Sequence, residues 1–202
     1  MAHVGVLGVL FEHSSPSSKA WAVVVTLVVT MLGSLLQRGA LRAIAATGGP
    51  GIVALELAGS DAASREVLAA WGQSGRQAAR RSLPGDAVFA LGYSAGLALL
   101  CALVADPLSR AATPWLGTTF RWVAGLALMA GFSDVVEDVL LRFLVRGYET
   151  SATVEGNATG ARSGGVAKWV RWAAMVKFAS VAATIAALLL FAGPTLAMSG
   201  AG

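Results

Sequence analysis

Three carboxylates, Asp134, Glu137 and Asp138, stand within Asp134-Val135-Val136-Glu137-Asp138, inside an apolar stretch running from Arg121 to Arg142. Residues three and four apart are neighbours on a helix, so all three acids share one face. Carboxyls grouped in this way can take up protons, hold a cation, or supply oxygen ligands to a hard divalent ion such as Mg²⁺. An acid deep in a membrane helix is costly and normally faces protein, where it finds a partner. Ala127, Ala130 and Gly131 continue the same face, and such small residues let another helix come close. Lys177 is the expected counterpart. Asp134 precedes Arg142 by eight residues and Lys177 follows Trp169 by eight, which puts both roughly 12 Å inside one boundary at ~1.5 Å per residue. Matched depth on antiparallel helices predicts an Asp134–Lys177 pair, which lowers the cost of holding either charge away from water.

Further polar residues are predicted to converge on the same half of the membrane. Asp86 and Tyr93 lie seven residues apart on one face, beside the small-residue pair Gly92 and Gly96. Glu56 is the one acid in the apolar run Gly51–Ala58, which is too short to span and is expected to dip back into the protein from the cytoplasmic side. The candidate ligand- or ion-binding set is therefore Glu56, Asp86, Tyr93, Asp134, Glu137 and Lys177. Each has a plainer alternative. Asp138 has the favoured i, i+4 order with Arg142 and reads as a surface pair. Asp86 after Pro84-Gly85 reads equally as a helix cap. Tyr93 reads as a packed aromatic, and Glu56 as a headgroup-level acid.

Other chemistries fit less well. Gly92-Tyr93-Ser94-Ala95-Gly96 has the letters of a nucleophile elbow, but it lies in a spanning segment with no histidine near it. His3 and His13 are both in the N-terminal tail, and the Glu-x-x-His pairs of a di-iron bundle are missing. No cofactor is predicted. A divalent cation is the alternative the acids leave open, although a second acidic cluster of the kind lipid phosphotransferases use is reduced to Asp86 and Glu56. Cys101 excludes an internal disulfide and reads as a packing residue.

The elements that must position these residues are read from composition. Of 202 residues, 56% are hydrophobic and 13% charged, against about 25% charged in soluble domains. The expected fold is all-α, a single membrane domain over residues 1–202, built as a four-helix transmembrane bundle. Its spans are placed at about 20–36, 86–105, 122–141 and 169–191. Trp21, Trp115, Trp122, Trp169 and Trp172 mark their ends as an interfacial belt. A cleaved signal peptide is the alternative for the first span, but its basic flank, Arg38 and Arg42, follows the apolar run. Between spans 1 and 2, residues 61–82 are expected to lie along the membrane as an amphipathic helix. Trp71, Arg76, Arg80 and Arg81 would contact lipid headgroups there. The third connection, 150–165, is Gly/Ser/Thr-rich and predicted to be a flexible loop; its Asn157-Ala158-Thr159 sequon is read as chance. The isoelectric point of about 9.8 does not point to nucleic acid, because the arginines flank apolar spans. Their excess in the first and third connections places these in the cytoplasm and both termini outside.

Glu56-Leu57-Ala58, the Asp86–Tyr93 stretch, Asp134-Val135-Val136-Glu137 and Lys177-Phe178 resemble a group of uncharacterised bacterial four-span inner-membrane proteins. The resemblance implies the bacterial inner membrane and supports this choice of residues; it implies no activity. The leading expectation is a membrane protein that binds or transports a cation, proton or polar, lipid-like ligand. The alternatives are a small accessory or structural subunit of a larger membrane complex and a divalent-metal-dependent lipid-modifying enzyme; a homo-oligomer or a larger membrane complex is the expected assembly. Membrane lipids are the expected partners.

Overall fold

A computed structural model describes residues 15–110, 114–154 and 165–199, which fold as helices with no strand among them. In chain order these are α1 (Pro16–Ala45), α2 (Ile52–Glu56), α3 (Asp61–Ala70), α4 (Gly72–Arg110), α5 (Pro114–Val154) and α6 (Val166–Ser199). The starts follow local chemistry. Ser15 caps α1, accepting from the Ser18 amide at 3.2 Å, with Pro16 in the first turn. Ser60 caps α3 through the Ala63 amide, and Asp61 meets the positive end of that helix.

The expected amphipathic helix over 61–82 is two pieces. Gly72 has φ +59°, a left-handed conformation that glycine adopts without steric cost, and the chain turns there. Residues 72–82 are the first turns of α4. With 39 residues, α4 is roughly 58 Å long, about twice a bilayer's hydrocarbon thickness. The span expected at 86–105 is thus the later part of a longer rod, and Asp86 lies inside it instead of capping its start. Pro84 is accommodated within the rod; its side chain is exposed, and its ring costs the helix one amide donor. At the other end of the chain, Thr150–Val154 continue α5 rather than opening a loop. Residues 155–164, with Asn157 and Arg162, lie outside the described residues, as do His3 and His13.

Three helices are long and apolar enough to cross a membrane: Ser17–Ala45 of α1, Gly72–Ser109 of α4 and Val166–Phe191 of α6. The predicted third span sits within α5, which carries the three acids and does not reach the same apolarity. The long helices pack in chain order, α1 on α4, α4 on α5 and α5 on α6, while α4 meets α6 only lightly. No substantial α1–α6 contact closes the ring among the described residues, so the arrangement is an open row where a closed four-helix bundle was expected. Its outer faces are apolar: Trp21, Met31 and Leu36 on α1, and Trp169, Leu189 and Leu190 on α6, are all well exposed.

Close approach along the row depends on small residues. A Cβ on Gly92 would come within 2.6 Å of the Thr30 amide nitrogen, so α1 and α4 touch backbone to backbone there. Thr30 and Thr26 turn their hydroxyls onto their own helix, to the carbonyls of Thr26 and Val23. Ala127 and Ala130 of α5 are completely buried.

The core has two apolar layers. One gathers Ile44, Leu55, Leu68, Trp71, Leu83, Leu141, Val145 and Val170. The other gathers Ala98, Cys101, Leu108, Phe120, Val123 and Ala127. On α4 and α5 the stretch between these layers carries Asp86, Tyr93, Ser94, Ser133, Asp134, Glu137 and Asp138. The polar residues form a band across the middle of the row.

Candidate functional site

Lys177 is the centre of that band. Its stripe on α6, Val170, Ala174, Lys177 and Thr184, is buried against the row because residues three and four apart stack on one face. The Lys177 Nζ donates to Asp134 Oδ1 at 2.8 Å and lies 2.7 Å from Glu137 Oε2 and 3.5 Å from Glu56 Oε2. The Glu137 contact is an ion pair without hydrogen-bond alignment. Tyr93 donates its hydroxyl to the second oxygen of Asp134 at 3.1 Å. One turn away, Ser133 Oγ donates to the Ala173 carbonyl at 2.8 Å, fixing α5 against α6.

Glu56 arrives from outside the long helices. It ends the five-residue α2, and Gly59, with φ +68°, turns the chain back toward α3. The short segment carries Glu56 to 4% exposure, beside Asp134 at 3%, Glu137 at 1% and Lys177 at 8%. Asp86, half-buried on α4, faces Asp138.

The structure therefore brings the sequence-predicted residues Glu56, Asp86, Tyr93, Asp134, Glu137 and Lys177 into one band. Asp138 belongs there too. It is buried and faces inward, whereas Arg142 is exposed; no surface pair forms between them. The signal was present, since Asp138 is i+4 from Asp134 as well as from Arg142.

The four residues assigned to headgroups are placed differently. Trp71 is 1% exposed, and its indole donates to the Pro50 carbonyl at 2.5 Å. A buried indole needs such a partner, and Trp71 finds it inside the protein. Arg76 donates to the Leu68 carbonyl at 2.9 Å and lies 5.0 Å from the centre of the Tyr148 ring. Arg80 pairs with Glu149 of α5 at 2.5 Å. Arg81 alone of the four is exposed with no partner among the described residues. A contact that sequence reasoning missed pins the opposite end of α1 to α4: buried Lys19 pairs with Asp106. Either residue alone reads as an ordinary span flank.

The inventory of charge is unequal. Five carboxyl groups, on Glu56, Asp86, Asp134, Glu137 and Asp138, share the single ammonium of Lys177, and no other cation pairs with them among the described residues. Glu137 Oε1 and Asp138 Oδ2 are buried without a hydrogen-bond partner there. No three acidic, histidine or cysteine side chains among the described residues converge as a metal-holding group. Neither protein-family models, curated proteins nor solved structures gave a match to this chain.

Proposed function

We propose that this chain is a four-span membrane protein whose mid-row polar band takes up protons, or a cation carrying its own N–H donors. The observation that carries this reading is the excess of five carboxyls over one ammonium in a sheltered place. A buried ionised carboxylate without a counter-charge is strongly unfavourable, so such a group becomes neutral or acquires a partner. The unpartnered oxygens of Glu137 and Asp138 are acceptors suited to a proton or an N–H donor. The five carboxyls come from α2, α4 and α5 and do not converge as a metal-holding group among the described residues, so they suit a compact divalent ion less well.

The inward placement of the acids also supports counting α5 as a span despite its lower apolarity, because its carboxylates meet α2, α4 and α6 and not lipid. The arginine distribution favours both termini outside, and the sequence resemblance favours a bacterial inner membrane.

Carbodiimide labelling tests the site. The reagent attacks protonated carboxyls in apolar surroundings, so Glu137 or Asp138 is expected to be modified, less so as pH rises. Asp138→Asn and Glu137→Gln should each remove label at the substituted position. A folded protein that takes no label in the band at any pH would overturn the proposal. The second reading is a structural lock, favoured by one observation: Lys177 ties acids from α2 and α5 to α6. A pure lock would show stability changes in the variants without labelling.

A further inference from the structure

We infer that a cleft beside the start of α6 binds the phosphate of an anionic lipid headgroup through Lys168 and Arg171. The cleft has a volume of about 370 Å³ and is lined by Gly59, Lys168, Arg171, Trp172 and Met175. The inference rests on the membrane reading above, but not on the proton-binding role of the polar band.

Both ends of the cleft are chemically defined. Lys168 and Arg171 are one turn apart on α6, and no acidic side chain among the described residues pairs with either. Arg81, Arg142 and Arg146 are also exposed and unpaired among the described residues; what sets Lys168 and Arg171 apart is that both line one cleft. Two free cations at one opening suit a phosphate ester, which a guanidinium grips through parallel N–H donors and an ammonium neutralises as a point charge. Trp172 and Met175 continue down the same side of α6, and both are about half exposed. Trp172 is placed as an interfacial tryptophan would be, with an apolar body for the glycerol and first methylenes. A cationic mouth over an apolar floor matches an amphiphile rather than a free anion.

Gly59 fixes the guanidinium. A Cβ at this position would lie 2.6 Å from Arg171 Cδ and 2.9 Å from Nη1. The missing side chain lets Arg171 lie along the turn after α2, which holds its head group at the opening. The same turn carries Glu56 inward to Lys177, so its acid points away from the cleft and does not repel phosphate. Val166 begins α6 just above, and the positive end of the helix adds to the field without being a site in itself.

The test uses full-length protein reconstituted in phosphatidylcholine vesicles, then extracted in neutral detergent and titrated with phosphatidylglycerol, phosphatidylcholine or inorganic phosphate. Native mass spectrometry counts bound lipid, and thermal unfolding reports its effect. Phosphatidylglycerol is expected to bind one-to-one and raise the melting temperature. Lys168→Gln with Arg171→Gln should weaken it by about tenfold or more, the loss expected for charge-assisted phosphate contacts. Arg142→Gln with Arg146→Gln removes equal charge from exposed positions on α5 and should leave binding unchanged. Gly59→Ala, which displaces Arg171, should weaken it in the same direction as the double variant. Equal loss in the α5 control, equal binding of phosphatidylcholine, or equal stabilisation by inorganic phosphate would each overturn the assignment. A protein that never entered the vesicles would instead overturn the membrane reading. Asp138→Asn should bind phosphatidylglycerol normally, which separates this cleft from the polar band.

Discussion

At the scale of single residues, Lys177 matters more than any one of its partners. Asp134→Asn leaves the ammonium with Glu137 and Glu56, whereas Lys177→Met leaves three carboxylates with no cation. Breaking a buried pair one-sidedly costs on the order of 3–5 kcal/mol. Lys177→Met is expected at or above that range, and Asp134→Asn clearly below it. The double variant should recover only part of the loss, because Glu56 and Glu137 remain uncompensated. Thermal unfolding of all four proteins in detergent gives the coupling term; strictly additive losses would show that the pair does not act as one unit. The Asp134–Lys177 contact was legible because depth can be counted along a helix from charged and aromatic ends. Glu56 was legible as a lone acid in an apolar run too short to span. Asp138 was not, since a nearby arginine offered a surface explanation. The burial of Trp71 was not legible for a related reason: in an amphipathic stretch an indole looks the same whether it meets headgroups or bonds the Pro50 carbonyl inside a core.

At the scale of elements, the α1–α4 seam depends on absent side chains. Gly92→Ala would drive a methyl into the Thr30 backbone, and neither helix can yield locally because the contact is not with a flexible side-chain end. A loss of roughly 1–3 kcal/mol is expected, as for an overpacked core. Gly125→Ala in α5 meets nothing within 4 Å and should be neutral, or stabilise by about 0.5–1 kcal/mol through helix propensity. Comparing the two melting temperatures separates seam packing from a general effect of alanine; equal shifts would remove the seam argument. The helical character of these segments could be read from hydrophobicity and length, and the small residues at 92 and 96 from their spacing. The break at Gly72 could not, because a glycine inside a helical pattern marks a turn only when the next element must change direction.

For the whole molecule, the open row is the main departure from expectation. Three helices apolar enough to span and a long acid-bearing fourth do not specify which helices touch, and a ring or a row satisfies the same hydrophobic pattern. Orientation is directly measurable. The chain has one cysteine, Cys101, which is fully buried, so introduced cysteines can be labelled against little background. A cysteine placed in 155–164 should resist an impermeant reagent added outside intact cells, and one in 111–113 should react. The reverse pattern would invert the topology.

The pairing of each long helix with its predecessor bears on synthesis. As the chain leaves the ribosome, α4 can dock on α1, and α5 on α4, without waiting for later sequence. The polar band is different. Lys177 is 121 residues from Glu56 and 43 from Asp134, so the acids precede in the chain the one ammonium that meets them among the described residues. Until α6 docks, those carboxyls have no ammonium beside them, and closing the band requires the last of the described helices. A chain halted before residue 166 is therefore expected to be a quality-control substrate, inserted yet recognised as unfinished by its own unneutralised acids.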